Sequence, residues 1–300
     1  MNAVRGVAEL GELRHDEPMS KHTSWRVGGP ADLYFRPASK AALLEFLAQL
    51  QPGTPVHWIG LGSNLLVRDG GIRGVVISTA NAPGELQRVN EYEVEAEAGV
   101  PCTVFARRCT RWELGPAEFF AGIPGTIGGA LSMNAGAFGG ETWDRVVAVE
   151  TVDRSGTLRH RGREDFDISY REVKVPPGEW FLAARFRFDR TGGAGLDQVR
   201  ALLQERQQKQ PLGLPSCGSV FRNPPGDHAA RLIESAGLKS LQVGGARVSD
   251  KHANFIINTG DATATDIEQL IRRVQAEVAR VHGVELVPEV HVLGEAELQP

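Results

Sequence analysis

The chain has 300 residues, of which 41% are hydrophobic and 23% charged, a composition that excludes disorder as the dominant state. Its formal net charge of −4 argues against broad phosphate binding, so we expect no nucleic-acid partner. The apolar stretch at 119–133 contains Pro124 and is too short to cross a bilayer, and the first residues do not read as a secretion signal. Cys102, Cys109 and Cys217 form no CxxC pair and leave one thiol unpaired, so we expect a cytoplasmic chain without a metal site.

Strand-like and helix-like segments mix between residues 31 and 189. Short apolar runs and alternating patterns predict strands at 31–36, 55–59, 89–98, 146–152, 157–161 and 180–188. One helix is predicted to follow Ser39, whose side chain can cap it. A second begins at Pro101 and places Val104, Phe105 and Cys109 near one face.

The segment TGGAG at 191–195 is the best candidate for a domain boundary, because its composition is that of a flexible linker. A helix is predicted at 196–209, a strand at 219–222, a helix at 229–236 and a strand at 254–257. A long amphipathic helix at 265–282 ends at Gly283, and a last strand covers 284–292. The pattern therefore indicates two α+β domains, at 20–190 and 196–300.

The 35 glycines are concentrated in loops that also contain apolar residues. The sequence has neither G-x-G-x-x-G nor a P-loop, so the usual nucleotide motifs are absent. GLGSN at 60–64 follows a strand and offers successive backbone N–H groups with the Ser63 and Asn64 side chains, which suits a diphosphate. GIPGTIGG at 122–129 opens a helix-like run whose N-terminus favours an anion, although a tightly packed core helix is the alternative.

Seven segments resemble, in order, the successive motifs of the UDP-N-acetylenolpyruvoylglucosamine reductases. They are HTSWRVGGPADL, GLGSNLLVRD, FFAGIPGTIGGALSMNAGAFG, ISYREV, GSVFRNP, SDKHANFIIN and VPEVHVLG. The resemblance covers about residues 20–295. It implies an α+β fold in which a two-subdomain FAD-binding domain of the vanillyl-alcohol-oxidase type, divided near residue 75, precedes a smaller C-terminal α+β substrate domain. The last strand, 284–293, would return to the active site.

The resemblance also implies a reaction and its cofactors. NADPH would donate hydride to a non-covalently bound FAD, which would reduce UDP-N-acetylglucosamine enolpyruvate to UDP-N-acetylmuramate for peptidoglycan. The two glycine loops would hold the cofactor. The implied cofactor-binding residues are Gly60, Leu61, Gly62, Ser63, Asn64 and Leu65 in the first loop and Gly122, Ile123, Pro124, Gly125, Thr126, Gly128, Gly129 and Ala130 in the second.

Three residues match the positions that carry the chemistry in this family. Hydride addition beside a carboxylate creates a dianion-like intermediate, which needs positive charge or hydrogen-bond donors. Arg171 in SYREV supplies a planar fork suited to a carboxylate. Ser219 in CGSVF matches the proton donor. Glu289, next to Pro288, lies in a strand where burial would raise its pKa and allow it to donate a hydrogen bond.

Four further residues are expected to contact the substrate. Arg222 and Asn223 resemble the pair that contacts the nucleotide, and Lys209 and Tyr170 are placed near it by their neighbours in sequence. All three tyrosines precede Arg171, so the chain resembles the branch of the family that lacks an inserted tyrosine loop. We expect a monomer that has no membrane partner.

Three other functions fit these motifs less well. Another FAD-dependent oxidoreductase of the same fold, acting on a sugar or hydroxy acid, is the first alternative, but it gives no reason for the C-terminal motifs. A non-catalytic sugar-nucleotide sensor would not require Arg171, Ser219 and Glu289 together. A hydrolase is disfavoured because G-x-S-x-G is absent and Cys217 has no identifiable histidine partner.

Overall fold

The computed structural model describes residues 7–80, 84–192 and 195–297. Within these residues the chain divides into two compact units. Of the described residues, unit 1 takes in 7–14, 34–61, 75–80, 84–192 and 195–206, and unit 2 takes in 15–33, 62–74 and 207–297. This division differs from the predicted domains at 20–190 and 196–300. The N-terminal segments 15–33 and 62–74 belong to unit 2, and the chain passes from unit 1 to unit 2 for the last time after Arg206. Residues 193 and 194 of the predicted linker lie outside the described residues.

The described residues form seven α-helices, and short 3₁₀ turns occur at 19–21, 118–122, 142–144 and 163–165. No helix in the described ranges is both long enough and apolar enough to cross a membrane. The helices are α1 (Val7–Leu10), α2 (Lys40–Gln49), α3 (Cys102–Arg111), α4 (Ile127–Met133), α5 (Gly195–Lys209), α6 (Ala229–Ser235) and α7 (Ala264–His282).

The same residues form twenty β-strands. Those of the first half of the chain are β1 (Gly11–Pro18), β2 (Pro30–Pro37), β3 (Val56–Ile59), β4 (Leu65–Val67), β5 (Ile72–Ser78), β6 (Leu86–Arg88), β7 (Glu93–Glu97), β8 (Leu114–Gly115), β9 (Gly136–Ala137), β10 (Gly140–Glu141) and β11 (Val146–Asp153). The others are β12 (Leu158–Gly162), β13 (Asp167–Ser169), β14 (Glu172–Lys174), β15 (Glu179–Arg187), β16 (Asp189–Arg190), β17 (Gln242–Val243), β18 (Ala246–Val248), β19 (Ile256–Asn258) and β20 (His291–Leu293).

The strands pair into small sheets. The two largest have the orders β1-β2-β5-β3 and β12-β11-β15-β7-β6, and a third, β17-β18-β19, lies in unit 2. Two-stranded pairs are formed by β13 and β14, by β16 and β8, by β10 and β9, and by β20 and β4. The β20–β4 pair is parallel and sets His291 opposite Leu65. Mixed small sheets interleaved with helices confirm the predicted α+β class.

Unit 1 has an aromatic core beneath α3. The ring of Phe105 lies 4.8 Å from those of both Phe120 and Phe186, and Cys109 on the same helix face is fully buried. Edge-on and tilted ring contacts of this kind add about 0.5–1.5 kcal/mol each beyond the burial of area. Val104 is 48% exposed, so its predicted place on this face is wrong: it directly precedes Phe105 and is rotated from it by roughly 100° around the helix axis.

Unit 2 has a separate core, and Trp25 explains why an N-terminal segment belongs to it. The Trp25 side chain is fully buried, its Nε1 donates to the Ile256 carbonyl at 2.7 Å, and its carbonyl accepts from Asn258 Nδ2 at 2.9 Å. Truncating a buried tryptophan costs about 3–5 kcal/mol. The composition change at 191–195 gave no sign of this pairing, because the partners are far apart in sequence.

The helix ends follow the predicted signals. Ser39 Oγ accepts from Ala42 N at 3.1 Å at the start of α2, and Gly283 adopts φ +67° at the end of α7, the left-handed conformation in which glycine is favoured. Two predicted strands are shorter than expected. Residues 89–92 form the turn between β6 and β7, where Asn90 Oδ1 accepts from the Glu93 amide at 2.9 Å, and the regular part of the last strand is only β20.

Candidate active site

The first glycine loop joins β3 to β4 and presents unused backbone donors. No backbone N–H from Gly60 to Ser63 donates a hydrogen bond to any residue that the structure describes. Gly62 has φ +62°, and a Cβ there would lie 2.0 Å from the His22 carbonyl. A side chain at Gly60 would meet Thr126 Oγ1 at 2.5 Å. This backbone therefore packs too closely on its neighbours to admit side chains at Gly60 and Gly62. The successive N–H groups of the loop are left to bind an anion. Leu61 at its tip is 40% exposed.

The second glycine loop leads into α4, and its two central glycines have different environments. Gly128 packs on Ala98: its N–H donates to the Ala98 carbonyl at 2.9 Å, and a Cβ would lie 2.9 Å from the Ala98 Cβ. Gly129 is exposed: a Cβ there would meet only Thr126 Oγ1, at 3.9 Å, and its N–H donates to the same oxygen at 3.5 Å. The N–H groups of both glycines thus have partners within the protein, but only Gly129 leaves space beside its backbone for a ligand.

The remaining predicted residues of this loop are mostly structural. Gly122, Ile123 and Ala130 are buried, Pro124 is exposed, and the Gly125 carbonyl accepts from Cys102 N at 2.9 Å. The fit to FAD therefore rests on the donors at 60–63, the hydroxyl of Thr126 and the open backbone at Gly129. A diphosphate requires such donors and no bulky side chains. These residues fit the diphosphate of the expected cofactor.

Arg171 lies at the tip of a two-residue turn between β13 and β14, where it adopts φ +59°. Few residues other than glycine and asparagine take this conformation without strain. Its side chain is only 16% exposed: Nη2 donates to the Gly136 carbonyl at 3.0 Å and Nη1 to the Asn134 carbonyl at 3.3 Å. The guanidinium also stacks 4.7 Å from the Tyr170 ring. The turn and these contacts hold the fork in one orientation.

Two residues that the sequence analysis missed support Arg171. Asn134 Nδ2 donates to Glu141 Oε2 at 2.8 Å, and Glu141 Oε1 lies 3.6 Å from Arg171 Nη1. Asn134 ends α4 with φ +41°, and its Oδ1 accepts from Trp143 N at 3.1 Å. An asparagine followed by Ala-Gly after a short helix is the signal that could have identified this cap.

In unit 2 the segments containing Ser219 and Glu289 run side by side. Phe221 and Pro288 form an isolated bridge, so the predicted strand at 219–222 is not a regular one. Both Glu289 N, at 2.8 Å, and Val290 N, at 3.5 Å, point at the Val220 carbonyl. Two successive N–H groups on one carbonyl are the mark of a β-bulge, which changes the direction of a side chain. Glu289 is placed at this irregularity.

Asn64, from the end of the first glycine loop, is bonded to the same segment. Its Nδ2 donates to the Glu289 carbonyl at 2.9 Å, and its carbonyl accepts from His291 N at 3.0 Å. The predicted alternation across 289–292 is only partly observed. Val290 is buried as expected, but Val292 is 37% exposed, and the regular pairing begins only at His291. The structure therefore brings Asn64 and Glu289 together through the backbone.

Burial, with a smaller effect of nearby charges, shifts the pKa of two groups near this segment in the direction of their neutral forms. Burial, and then the charge of Glu289, raise the pKa of the Cys217 thiol well above its usual value. Burial, followed by the charge of Arg222, lowers the pKa of His291. A thiol that stays protonated is a poor nucleophile, which argues against a cysteine hydrolase. The same interactions place Glu289 near Cys217 and Arg222 near His291.

The other predicted substrate residues are less tightly grouped. Asn223 Oδ1 accepts from Ala229 N at 3.1 Å, so this side chain is bonded to the start of α6. Lys209 is the last residue of α5 and is exposed. Tyr170 is 44% exposed beside Arg171.

Two family models match separate parts of the chain. The model for "FAD binding domain" covers residues 31–162, and the model for "UDP-N-acetylenolpyruvoylglucosamine reductase, C-terminal domain" covers residues 210–293. The first match contains both glycine loops, and the second contains Ser219, Arg222 and Glu289. An FAD-binding domain followed by this C-terminal domain is the predicted order.

Curated relatives match along almost the whole chain. UDP-N-acetylenolpyruvoylglucosamine reductase of Alkalilimnicola ehrlichii is 62% identical, over 99% of this chain and 100% of its own length. That of Methylococcus capsulatus is 56% identical, over 95% of this chain and 94% of its own. The crystal structure of UDP-N-acetylenolpyruvylglucosamine reductase from Thermus caldophilus superposes with a TM-score of 0.80 at 33% identity, covering 95% of this chain and 99% of that one.

Proposed function

The chain belongs to the UDP-N-acetylenolpyruvoylglucosamine reductase family, and we propose that Arg171, Ser219 and Glu289 carry its chemistry. It is a flavin-dependent oxidoreductase that uses NADPH to reduce UDP-N-acetylglucosamine enolpyruvate to UDP-N-acetylmuramate, a peptidoglycan precursor. One observation supports these roles most directly. The Arg171 guanidinium is held in one orientation, in a turn whose backbone conformation is unfavourable for arginine.

FAD, when bound, transfers the two electrons from NADPH to the β-carbon of the enolpyruvyl group. The residues proposed to hold it are the backbone donors at 60–63, Thr126 and the open backbone at Gly129. Because these donors belong to the backbone, they are oriented before the ligand arrives, and little ordering is needed on binding.

Arg171 is proposed to bind the carboxylate of the substrate. Negative charge spreads onto this group when the β-carbon gains hydride, and an oriented guanidinium stabilises that charge more than it stabilises the ground state. The carbonyls of Asn134 and Gly136 leave the guanidinium cationic while they fix its direction. Glu141, which bonds Asn134, is proposed to position Arg171 rather than to contact the substrate.

Ser219 is proposed to donate its Oγ proton to the α-carbon. A serine hydroxyl is a very weak acid, and it serves here because the carbanion is much more basic than a carboxylate. Its position beside Val220, whose carbonyl accepts from Glu289 N at 2.8 Å, fixes the backbone from which the hydroxyl projects. Proton transfer from Ser219 completes the saturated lactyl ether.

Glu289 is proposed to donate a hydrogen bond to the same intermediate. Replacing Glu289 by glutamine should be less damaging than replacing it by alanine, because only the amide keeps a donor. We expect the rate of substrate reduction to fall about tenfold for Glu289→Gln and about a hundredfold for Glu289→Ala, measured by stopped-flow reoxidation of the reduced enzyme. Glu285→Ala, at an exposed residue of the same segment, serves as the control, and equal rates for the two Glu289 variants would contradict the donor role.

The nucleotide part of the substrate is proposed to contact Arg222, Asn223, Lys209 and Tyr170. Arg222 and Lys209 offer cations for the diphosphate, and Tyr170 offers an exposed ring. The proposal includes a monomeric enzyme. It also includes a cytoplasmic location, because the three cysteines are free thiols of the kind kept in a reducing compartment.

The visible spectrum of the purified protein tests the function. NADPH added without oxygen should bleach the yellow flavin bands, and UDP-N-acetylglucosamine enolpyruvate should restore them. Bands that return only when air is admitted would show that the substrate is wrong and that oxygen accepts the electrons. A protein that binds no flavin would contradict the proposal altogether.

A further inference from the structure

The segment that contains Ser219 is not part of a regular strand. Residues 219–222 join a second segment through an isolated bridge at Phe221. On the side of that second segment, the carbonyl of Val220 accepts from Glu289 N at 2.8 Å. A short irregular segment has little stiffness of its own, so its shape depends on the groups that bond its remaining backbone atoms.

Asn254, from the turn between β18 and β19, supplies bonds that a neighbouring strand would otherwise supply. Its own carbonyl accepts from Val220 N at 2.9 Å. Its side-chain Oδ1 accepts from Phe221 N at 2.9 Å, and its Nδ2 donates to the Phe221 carbonyl at 2.8 Å. An asparagine side chain carries an acceptor and a donor like those of a peptide group. Asn254 therefore pairs with Phe221 as a strand residue does.

The bonds between Asn254 and Phe221 are buried. Asn254 is 3% exposed and Phe221 is 2% exposed, so water cannot replace the amide in this structure. Without the amide, the N–H and the carbonyl of Phe221 would both lose their partner in the interior, which is unfavourable. The backbone would have to shift to find other partners. Ser219 is only two residues before Phe221, so its hydroxyl would move as well.

The turn that carries Asn254 is itself held by buried bonds. Ser249 is 1% exposed, and its Oγ accepts from His252 N at 3.3 Å. Its backbone N–H donates to the Phe255 carbonyl at 2.8 Å, and Phe255 N donates to the His252 carbonyl at 3.0 Å. These bonds close the turn on both sides of Asn254. The amide is therefore oriented before any ligand binds.

We propose that Asn254 is a positioning residue for Ser219: its amide fixes the backbone of residues 220 and 221 and so places the Ser219 hydroxyl for proton transfer. The inference rests on the proposed function, since it needs Ser219 to be the proton donor. Asn254 acts through the Phe221 backbone, and no proton passes through it. Misplacing a reacting group by about 1 Å can slow a reaction about 10²-fold, so a small shift of this segment is measurable.

The first test compares the two half-reactions of Asn254→Leu, whose side chain has a similar shape but forms no hydrogen bonds. Anaerobic reoxidation by saturating UDP-N-acetylglucosamine enolpyruvate should slow at least tenfold, because the proton donor is misplaced. Reduction by NADPH should change less than twofold, because it does not use Ser219. Equal losses in both half-reactions, or reoxidation at the wild-type rate, would overturn the inference.

Asn258 offers a matched control, because it is also a buried asparagine whose amide bonds backbone groups. Its Nδ2 donates to the Trp25 carbonyl at 2.9 Å, and its Oδ1 accepts from Gly260 N at 2.8 Å. Asn254→Asp and Asn258→Asp each remove one such donor and keep the acceptor. Asn254→Asp should slow reoxidation at least threefold, whereas Asn258→Asp should leave both half-reactions within about twofold of the wild type. Comparable slowing of reoxidation by the two variants would overturn the inference.

A double-mutant cycle tests whether Asn254 acts through Ser219. Asn254→Leu should slow reoxidation at least tenfold in the wild type but less than twofold in Ser219→Ala, which has no hydroxyl left to misplace. Asn254→Asp takes its place in the cycle where the leucine variant does not fold. Equal fold-losses in the two backgrounds would overturn the inference alone. Reoxidation of Ser219→Ala at the wild-type rate would instead overturn the proposed function, and the inference with it.

Discussion

Ser219→Ala is expected to leave reduction by NADPH almost unchanged and to slow reoxidation by UDP-N-acetylglucosamine enolpyruvate by about 10²–10⁴-fold, the usual contribution of general acid catalysis. The two half-reactions separate because Ser219 is proposed to act only on the α-carbon of the substrate. NADPH oxidation needs no proton at that atom. Anaerobic stopped-flow absorbance of the flavin band measures both rates on the same enzyme.

Ser216→Ala is the matched control for this prediction, because it removes a hydroxyl from the same segment three residues earlier. Its two half-reactions should both stay within about twofold of the wild type, as expected for a substitution outside special features. Equal losses in both half-reactions for Ser219→Ala would indicate a damaged fold or cofactor site rather than a missing proton donor.

Removing the Arg171 guanidinium is expected to lower kcat/KM for the enolpyruvyl substrate by about 10²–10³-fold, as for other groups that stabilise an oxyanion. Arg171→Ala and Arg171→Gly should lose similar activity, since both lack the fork. Arg171→Lys should lose less, because it keeps the charge without the planar geometry. Steady-state assays with NADPH in excess give these values.

The two small variants should differ in stability rather than in activity. Arg171 has φ +59°, a conformation that costs a residue with a Cβ about 1–2 kcal/mol and costs glycine almost nothing. The glycine variant should therefore melt at a higher temperature than the alanine variant. A glycine variant with wild-type activity would show that the turn, and not the guanidinium, is what the reaction requires.

Local signals in the sequence were enough for most helices. Ser39 caps α2 and Gly283 ends α7 as predicted, because both act on groups within a few residues of themselves. The α+β class, the cofactor and the family followed from motifs whose order is much more specific than any one of them. The roles of the individual site residues stay predictions.

Contacts between distant residues could not be predicted in this way. The alternation of Glu and apolar residues at 89–98 is continuous with β7, yet Asn90 folds the first part into a turn. Val104 fits the sequence pattern of a buried helix face, but its side chain is rotated away from that face by part of a helical turn and is exposed. Asn134 and Glu141 have no motif of their own, and their part in seating Arg171 is visible only once the loop after α4 is folded.

The bond between Trp25 and Ile256 has a consequence for how the chain is made. The two residues are 231 positions apart, so during synthesis the tryptophan emerges long before its partner exists. Unit 2 cannot close its core until the last third of the chain has left the ribosome, and contacts of such long range are slow to form. Until then the Trp25 side chain lacks the partners that bury it, and an exposed tryptophan of this kind is a feature that chaperones bind.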